Sequence, residues 1–205
     1  LFIADLIGIQ DFSVLEYLYA GMNQLTSLDV TNNIALTTLH IYDNPLAILD
    51  VSNNTVLTQL HCPRTQLTNL DVTNNIALTE LICDFNQLTS LDLSNNTSLI
   101  NLICESNQIT NLDLRNGNNI NMTNPSLWYN PSLNCISVDD ATWSTANWTN
   151  VDSHTIFLDD CASYVSVNAD FSADASTVCQ GFAVNFTDAS TGSAGITSWS
   201  WDFGD

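Results

Sequence analysis

Leu25-Thr-Ser-Leu28-Asp29-Val30-Thr31-Asn32-Asn33-Ile34-Ala35-Leu36 returns 21 residues later as Leu46-Ala-Ile-Leu49-Asp50-Val51-Ser52-Asn53-Asn54-Thr55-Val56-Leu57, and this recurrence decides the fold. Leu28, Leu49, Leu70, Leu91 and Leu112 keep the step, and Asp29, Asp50, Asp71, Asp92 and Asp113 follow them. A fixed period in this range, with Leu at constant offsets, is the mark of a solenoid. No single unit can bury its own apolar edge, so each stacks on the next.

Each period splits into two halves. One reads L-x-x-L-x-[IC]-x-x-N-x-L, as in Leu36 to Leu46; the other reads L-x-x-L-D-[VL]-[ST]-N-N-x-x-L, as in Leu25 to Leu36. The L-x-[ILVC] alternation predicts a short strand in each half, with alternate side chains inward. Ile7-Gly-Ile9-Gln-Asp-Phe12 fits the same register, so the solenoid is expected to exist already near residue 7. Asn recurs at 23, 44, 86 and 107, with Thr65 the exception, and again at 33, 54, 75 and 96. An amide at a turn bonds backbone groups, which predicts stacked Asn corners.

The pattern resembles the leucine-rich repeat family in the short form of bacterial surface proteins, and is similar to internalin-type repeats. The resemblance covers roughly residues 1–120 and implies a curved solenoid with a parallel sheet on one face. Proteins of this family usually bind along an extended surface.

Composition narrows the function. The 205 residues hold 22 acidic side chains against two basic ones, Arg64 and Arg115, for a net charge of −20. This excludes nucleic acid and anionic membrane surfaces as partners, because both demand positive charge. No apolar run is long enough to span a bilayer. The chain opens on Leu1 and stops at Asp205 within a strand-like run, and it reads as a fragment of a longer polypeptide. There is neither a nucleophile–base–orienter set nor a Gly-rich phosphate loop, so no catalytic residue is expected.

Comparing the repeats separates scaffold from face. The LDVTNN half hardly changes, whereas the other half varies at its outward positions. Three columns arise: Tyr17, Thr38, Gln59, Glu80, Asn101; then Tyr19, His40, His61, Ile82, Ile103; then Gly21, Tyr42, Pro63, Asp84, Glu105. The candidate ligand-binding residues are Tyr17, Tyr19, His40, Tyr42, His61, Ile82, Asp84, Ile103 and Glu105, an aromatic and apolar band with carboxylates at one end. The alternative is drift on an unselected surface.

The five-carboxylate Asp column has two readings. The plain one is a local bond from each Asp to the hydroxyl two residues on, at Thr31, Ser52, Thr73 or Ser94. The other is a row of Ca²⁺ ions, against which stands the lack of dense calcium-loop motifs. No other cofactor is expected. The His40–His61 pair lacks a third metal ligand, because Cys62 has the opposite parity and points inward.

Of six cysteines, Cys62, Cys83 and Cys104 share one inward column behind Ala20 and Ile41 and read as unpaired core residues. Cys135 and Cys161 flank a different segment and are expected to pair, which implies an oxidising compartment. Cys179 then lacks a partner within the chain.

From Gly117 the period dissolves. Residues 121–163 are expected to cap the solenoid: Leu133, Ile136 and Val138 add a last turn, Asp140 caps a short helix through Asn147, and Trp143 and Trp148 cover the open core. This stretch resembles the C-terminal cap that follows such repeats in secreted bacterial proteins. Over residues 164–205 the alternation shifts to a β-sandwich rhythm. Ala169-Asp-Phe171, Val184-Asn-Phe186-Thr-Asp188 and Trp199-Ser-Trp201-Asp-Phe203-Gly-Asp205 resemble a PKD domain, an immunoglobulin-like sandwich. The match covers the first part of such a domain.

The fold class is thus mainly β: a leucine-rich-repeat solenoid, its cap, and the N-terminal part of an immunoglobulin-like sandwich. A solenoid joined to a PKD-like module looks like bacterial surface proteins exported by the type IX route. The resemblance implies a secreted or surface-located, non-catalytic adhesion protein with a protein or glycan ligand. Two other readings stand beside it: a self-assembling subunit of a fibre or surface layer, and the accessory region of a secreted hydrolase.

Overall fold

The computed structural model describes residues 2–164, 167–168, 170–174 and 184–192. It divides into two compact units, Leu1–Cys161 and Ala162–Asp205.

The first unit is a β-solenoid. Its first parallel sheet stacks β1 (Tyr17–Tyr19), β2 (Thr38–His40), β3 (Gln59–His61), β4 (Glu80–Ile82) and β6 (Asn101–Ile103), and between the last two in sequence lies β5 (Ser90–Asp92). Register follows the 21-residue step without slippage: Leu18, Leu39, Leu60, Leu81 and Leu102 pair in turn. Beneath them Ala20, Ile41, Cys62, Cys83 and Cys104 form a second buried row. Strand periodicity produces this directly, since one side chain in two faces inward.

The second sheet is made by β5, β7 (Asn111–Asp113), β8 (Cys135–Ser137) and β9 (Ile156–Leu158). Here the structure departs from expectation. The Leu-Asp-Val half forms a strand only from Ser90 onward, and residues 28–30, 49–51 and 70–72 do not join a ladder. Side chains hold those turns instead. Asn54 donates its amide to the carbonyls of Val30 and Asn33, Asn75 to those of Val51 and Asn54, and Asn96 to those of Val72 and Asn75. Successive turns are thus tied to one another there by side-chain amides.

The first turn keeps the register but not the conformation. Asn33 donates to the carbonyls of Ile9 and Phe12, the same offsets as in later turns, yet Ile9–Asp11 forms a 3₁₀ turn after Gly8, whose φ is +91°. Only glycine takes that angle without steric cost.

The other corner is closed by the second Asn column. Asn44 accepts from Leu25 N–H and donates to the carbonyls of Ala20 and Ile41; Asn86 and Asn107 repeat the arrangement. At the far end, helix α1 (Ala141–Asn147) begins at Asp140, whose carboxylate accepts from Trp143 N–H. Trp148 is buried, lies edge-on to Trp143 and Phe157, and belongs to the same core as the repeat leucines. Cys135 and Cys161 form a disulfide.

In the second unit, β10 (Val167–Asn168) pairs antiparallel with β13 (Thr191–Gly192), and β11 (Phe171–Ala173) with β12 (Phe186–Asp188). Phe171 and Phe186 meet edge to face across the second pair. Cys179, Ala169 and the Trp199–Asp205 motif lie outside the described residues.

Candidate functional site

The outward columns of the first sheet lie side by side as strand register requires. Tyr17 pairs with Thr38, Gln59, Glu80 and Asn101 in succession, and Tyr19 with His40, His61, Ile82 and Ile103. The third column continues the ladder past the strand ends. Met22 N–H donates to Tyr42 O, Asp43 N–H to Pro63 O, Arg64 N–H to Asp84 O and Phe85 N–H to Glu105 O. All nine candidate residues therefore share one face. Tyr17 and Tyr19 are well exposed, at 57% and 66%, and the other seven are half-buried. Thr38, an outward position by parity, is covered by its neighbours and buried.

Contacts run along the central column. Tyr19 meets His40 edge-on at 4.8 Å. The imidazoles of His40 and His61 stack 3.8 Å apart and 9° from parallel. His61 Nε2 sits 3.4 Å from Glu80 Oε2 without forming an aligned hydrogen bond, and Asn101 donates to Glu80 Oε1 at 2.8 Å. Ile82 and Ile103 continue the strip as an apolar surface.

Electrostatics differ between the two carboxylate populations. Asp84 is held above its ordinary range, first by burial, against which its own backbone N–H and Arg64 pull down; Glu105 and Asp43 add to the rise. Asp29, Asp50 and Asp71 lie on the opposite half and are held low by the hydroxyl and N–H of Thr31, Ser52 and Thr73. Ser94 bonds Asp92 in the same manner, and Arg115 chelates Asp113. The partners expected from the sequence at Thr31, Ser52, Thr73 and Ser94 are in place, and Arg115 serves Asp113 where the sequence reading named none. Among the described residues no group of three or more His, Cys, Asp or Glu side chains is placed to hold a metal ion.

Cys62, Cys83 and Cys104 are buried and free. Burial pushes the Cys62 thiol up to about 12, and the Cys83 thiol is raised too, first by the hydrogen bond of Cys83 with Cys104 and then by burial. Thiols in that state are poor nucleophiles.

Sequence reading missed the last turn of this face. Ser126 bridges to Ile103, and Ser106 N–H donates to Trp128 O, so Ser126 extends the second column and Trp128 the third. Asn130 completes the Asn corner: it accepts from Ile109 N–H and donates to Cys104 O and Leu127 O. The step here is 23 residues, not 21, which hid it. The signal was present in Trp128-Tyr129-Asn130-Pro131, which repeats Tyr42-Asp43-Asn44-Pro45.

A further column was also missed. Met22, Asp43, Arg64, Phe85, Ser106 and Tyr129 all have φ between 53° and 61°, the left-handed region, at the corner beside the third column. None is glycine. The Arg64 guanidinium lies 4.4 Å over the Phe85 ring.

No family model matches the chain, and no curated protein matches it. Among the solved structures similar to it are two from Listeria monocytogenes. One is the functional domain of InlJ from Listeria monocytogenes, described as including a cysteine ladder, at 21% identity over 74% of this chain and 52% of that one, with a TM-score of 0.41. The other is an internalin, inlF, from Listeria monocytogenes strain 4b F2365, at 20% identity over 73% of this chain and 50% of that one, with a TM-score of 0.47. The chain spans about half the length of each. Among the described residues no helix is long and apolar enough to cross a membrane.

Proposed function

We propose that the chain is a non-catalytic recognition or adhesion module of the cell exterior, binding a protein or glycan ligand across Tyr17, Tyr19, His40, Tyr42, His61, Ile82, Asp84, Ile103 and Glu105. One observation supports this most. The variable columns that begin at Tyr17 and Tyr19 emerge on one uninterrupted parallel sheet with the third column beside it, while the opposite half repeats a nearly constant text. A rigid sheet holds its outward groups without further ordering cost, which favours binding. Residues 121–163 act as the cap and residues 164–205 as a PKD-like spacer in this reading. The Cys135–Cys161 disulfide favours an oxidising, extracellular setting.

The test is binding of the purified chain to glycan and surface-protein arrays, with and without Ca²⁺. Binding lost in Tyr19→Ala, His40→Ala and Tyr42→Ala supports the strip. Binding that survives all three, or that disappears only when Ca²⁺ is removed, would overturn it.

A further inference from the structure

Gly21 heads the outward column that continues as Tyr42, Pro63, Asp84, Glu105 and Trp128. With no side chain there, the Tyr42 ring of the next turn lies over it. A Cβ on residue 21 would stand 2.4, 2.6 and 2.7 Å from Cε1, Cζ and Cδ1 of that ring. Near-equal distances to one ring atom and to both of its bonded neighbours arise when a ring is met through its face; an edge-on approach holds the neighbours well behind. By alternation with buried Ala20, the Cβ direction at residue 21 points out of the sheet. The inner face of Tyr42 therefore rests on backbone, and the outer face is turned to solvent.

The rest of the surface agrees with a ring laid flat. Tyr42 is half-buried, and among the described residues no second aromatic ring stacks on it. Tyr19, 66% exposed, stands two residues before Gly21 on the same face, about 7 Å along the chain, and meets His40 edge-on. His40 and His61 cover each other's faces, so theirs are spent within the protein, whereas the outer face of Tyr42 is open.

Charge narrows what can lie on it. Asp43 follows Tyr42 at the corner and adds to the rise of Asp84, while Arg64 is held over Phe85. Carboxylates only accept hydrogen bonds. A polypeptide strand brings as many carbonyl acceptors as N–H donors, and its acceptors would find few donors here. A sugar ring brings an apolar C–H face with hydroxyl donors around its rim, and the negative face of a phenol ring attracts polarised C–H groups. The net charge of −20 repels sulfated, phosphorylated or uronic acid sugars.

We propose that Tyr42, laid flat over Gly21 with Tyr19 beside it, is a stacking platform for a neutral hexopyranose unit of a glycan. This rests on the reading of the molecule as a recognition module and selects a glycan as its ligand class.

The probes are cellotetraose, maltotetraose and mannotetraose, each titrated into the chain and followed by NMR, with tetragalacturonate as the charged control. The expected result is saturable shifts at the Gly21 amide and the Tyr42 ring with at least one neutral sugar, and none with the control. Tyr42→Ala weakens that sugar by about tenfold, whereas Tyr42→Phe, which keeps the face and removes the hydroxyl, stays within about twofold. Gly21→Ala keeps Tyr42 but lifts its ring, and weakens the sugar by about fivefold or more. Trp128→Ala, at the far end of the same column, leaves binding unchanged. No saturable shift with any of the three sugars would overturn the proposal, as would binding that survives Tyr42→Ala or a control that binds as tightly. A protein from the array bound through Tyr19 and His40, with all three sugars silent, would refute the platform and keep the recognition reading; silence of both would refute both.

Discussion

The imidazole rings of His40 and His61 lie face to face, 3.8 Å apart, in the middle of the variable strip. His40 is held below its ordinary value of 6.5, first by desolvation and then by the charge of His61, with Glu80 pulling the other way. As pH falls below 6.5 the unfolded chain takes up this proton before the folded one does, so the stability His40 contributes at neutral pH declines until the folded form is protonated too. Melting temperature should fall between pH 7.5 and 5.5, and His40→Phe should flatten that slope. In His61→Gln the His40 ring, followed by NMR, should titrate closer to its ordinary value; an unchanged titration would show that burial alone sets it.

A second acid transition has a different origin. Asp29, Asp50, Asp71 and Asp113 all have carboxyl groups held below 3.8 by local donors. Their contribution is present above 3.8 and lost as pH drops through the lowered values. Thr73→Ala should bring the Asp71 titration back up, read by carboxyl carbon shifts, and should leave the histidine transition untouched.

Gly21 is required by Tyr42. The ring atoms of Tyr42 lie 2.4 to 2.7 Å from where a Cβ on residue 21 would stand. Gly21→Ala must therefore swing the ring off the surface. Because the ring is only half-buried, the expected stability change is below the ~1–3 kcal/mol of an overpacked core. The expected loss is in ligand binding, comparable with Tyr42→Ala. Wild-type affinity in Gly21→Ala would show that Tyr42 takes no part.

The Asn corners differ sharply from their neighbours in sequence. Asn75 donates to two buried carbonyls of the turn before it, at 3.0 and 2.9 Å, whereas exposed Asn74 reaches one at 3.3 Å. Asn75→Ala should cost about 1–3 kcal/mol in denaturant unfolding, from two hydrogen bonds lost, while each carbonyl keeps its backbone donor, Asn54 N–H or Leu57 N–H. Its own buried and unpartnered Oδ1 offsets part of that. Asn74→Ala should cost under about 0.5 kcal/mol. Equal effects would mean that the corner amides add nothing beyond the turn itself.

Reduction should act on the far end alone. Cys135 and Cys161 close a 26-residue separation around helix α1. Breaking that link should cost about 2–4 kcal/mol and expose Trp148, seen as a red-shifted emission. Cys62, Cys83 and Cys104 should stay unlabelled by thiol reagents until the stack itself unfolds.

Much of this was legible because a solenoid repeats its physics along with its letters. The period set the register from Leu18 to Leu102, the inward cysteine row and the Asp–hydroxyl pairs. Three features were not. The 23-residue step hid Trp128 and Asn130, because insertions in a loop shift the count without shifting the stack. The early Leu-Asp-Val halves look strand-like in alternation, but they form no ladder, and side-chain amides link their turns instead. The left-handed corner carries no glycine to announce it, and Arg64, Phe85 and Ser106 share a backbone angle while sharing no chemistry.

The Asn amides all reach the same way. Asn44, Asn54, Asn75 and Asn96 each donate to carbonyls 24 residues earlier in the chain. The stack is thus polar along its axis, with each coil finished by its successor. A polypeptide emerging amino end first leaves its newest coil incomplete until the following 21 residues appear, so growth proceeds like a ratchet in which arrival of one coil locks the one before. Shortening from the carboxyl end takes the amide donors away from a coil that remains, while shortening from the amino end removes the acceptors together with their own coil.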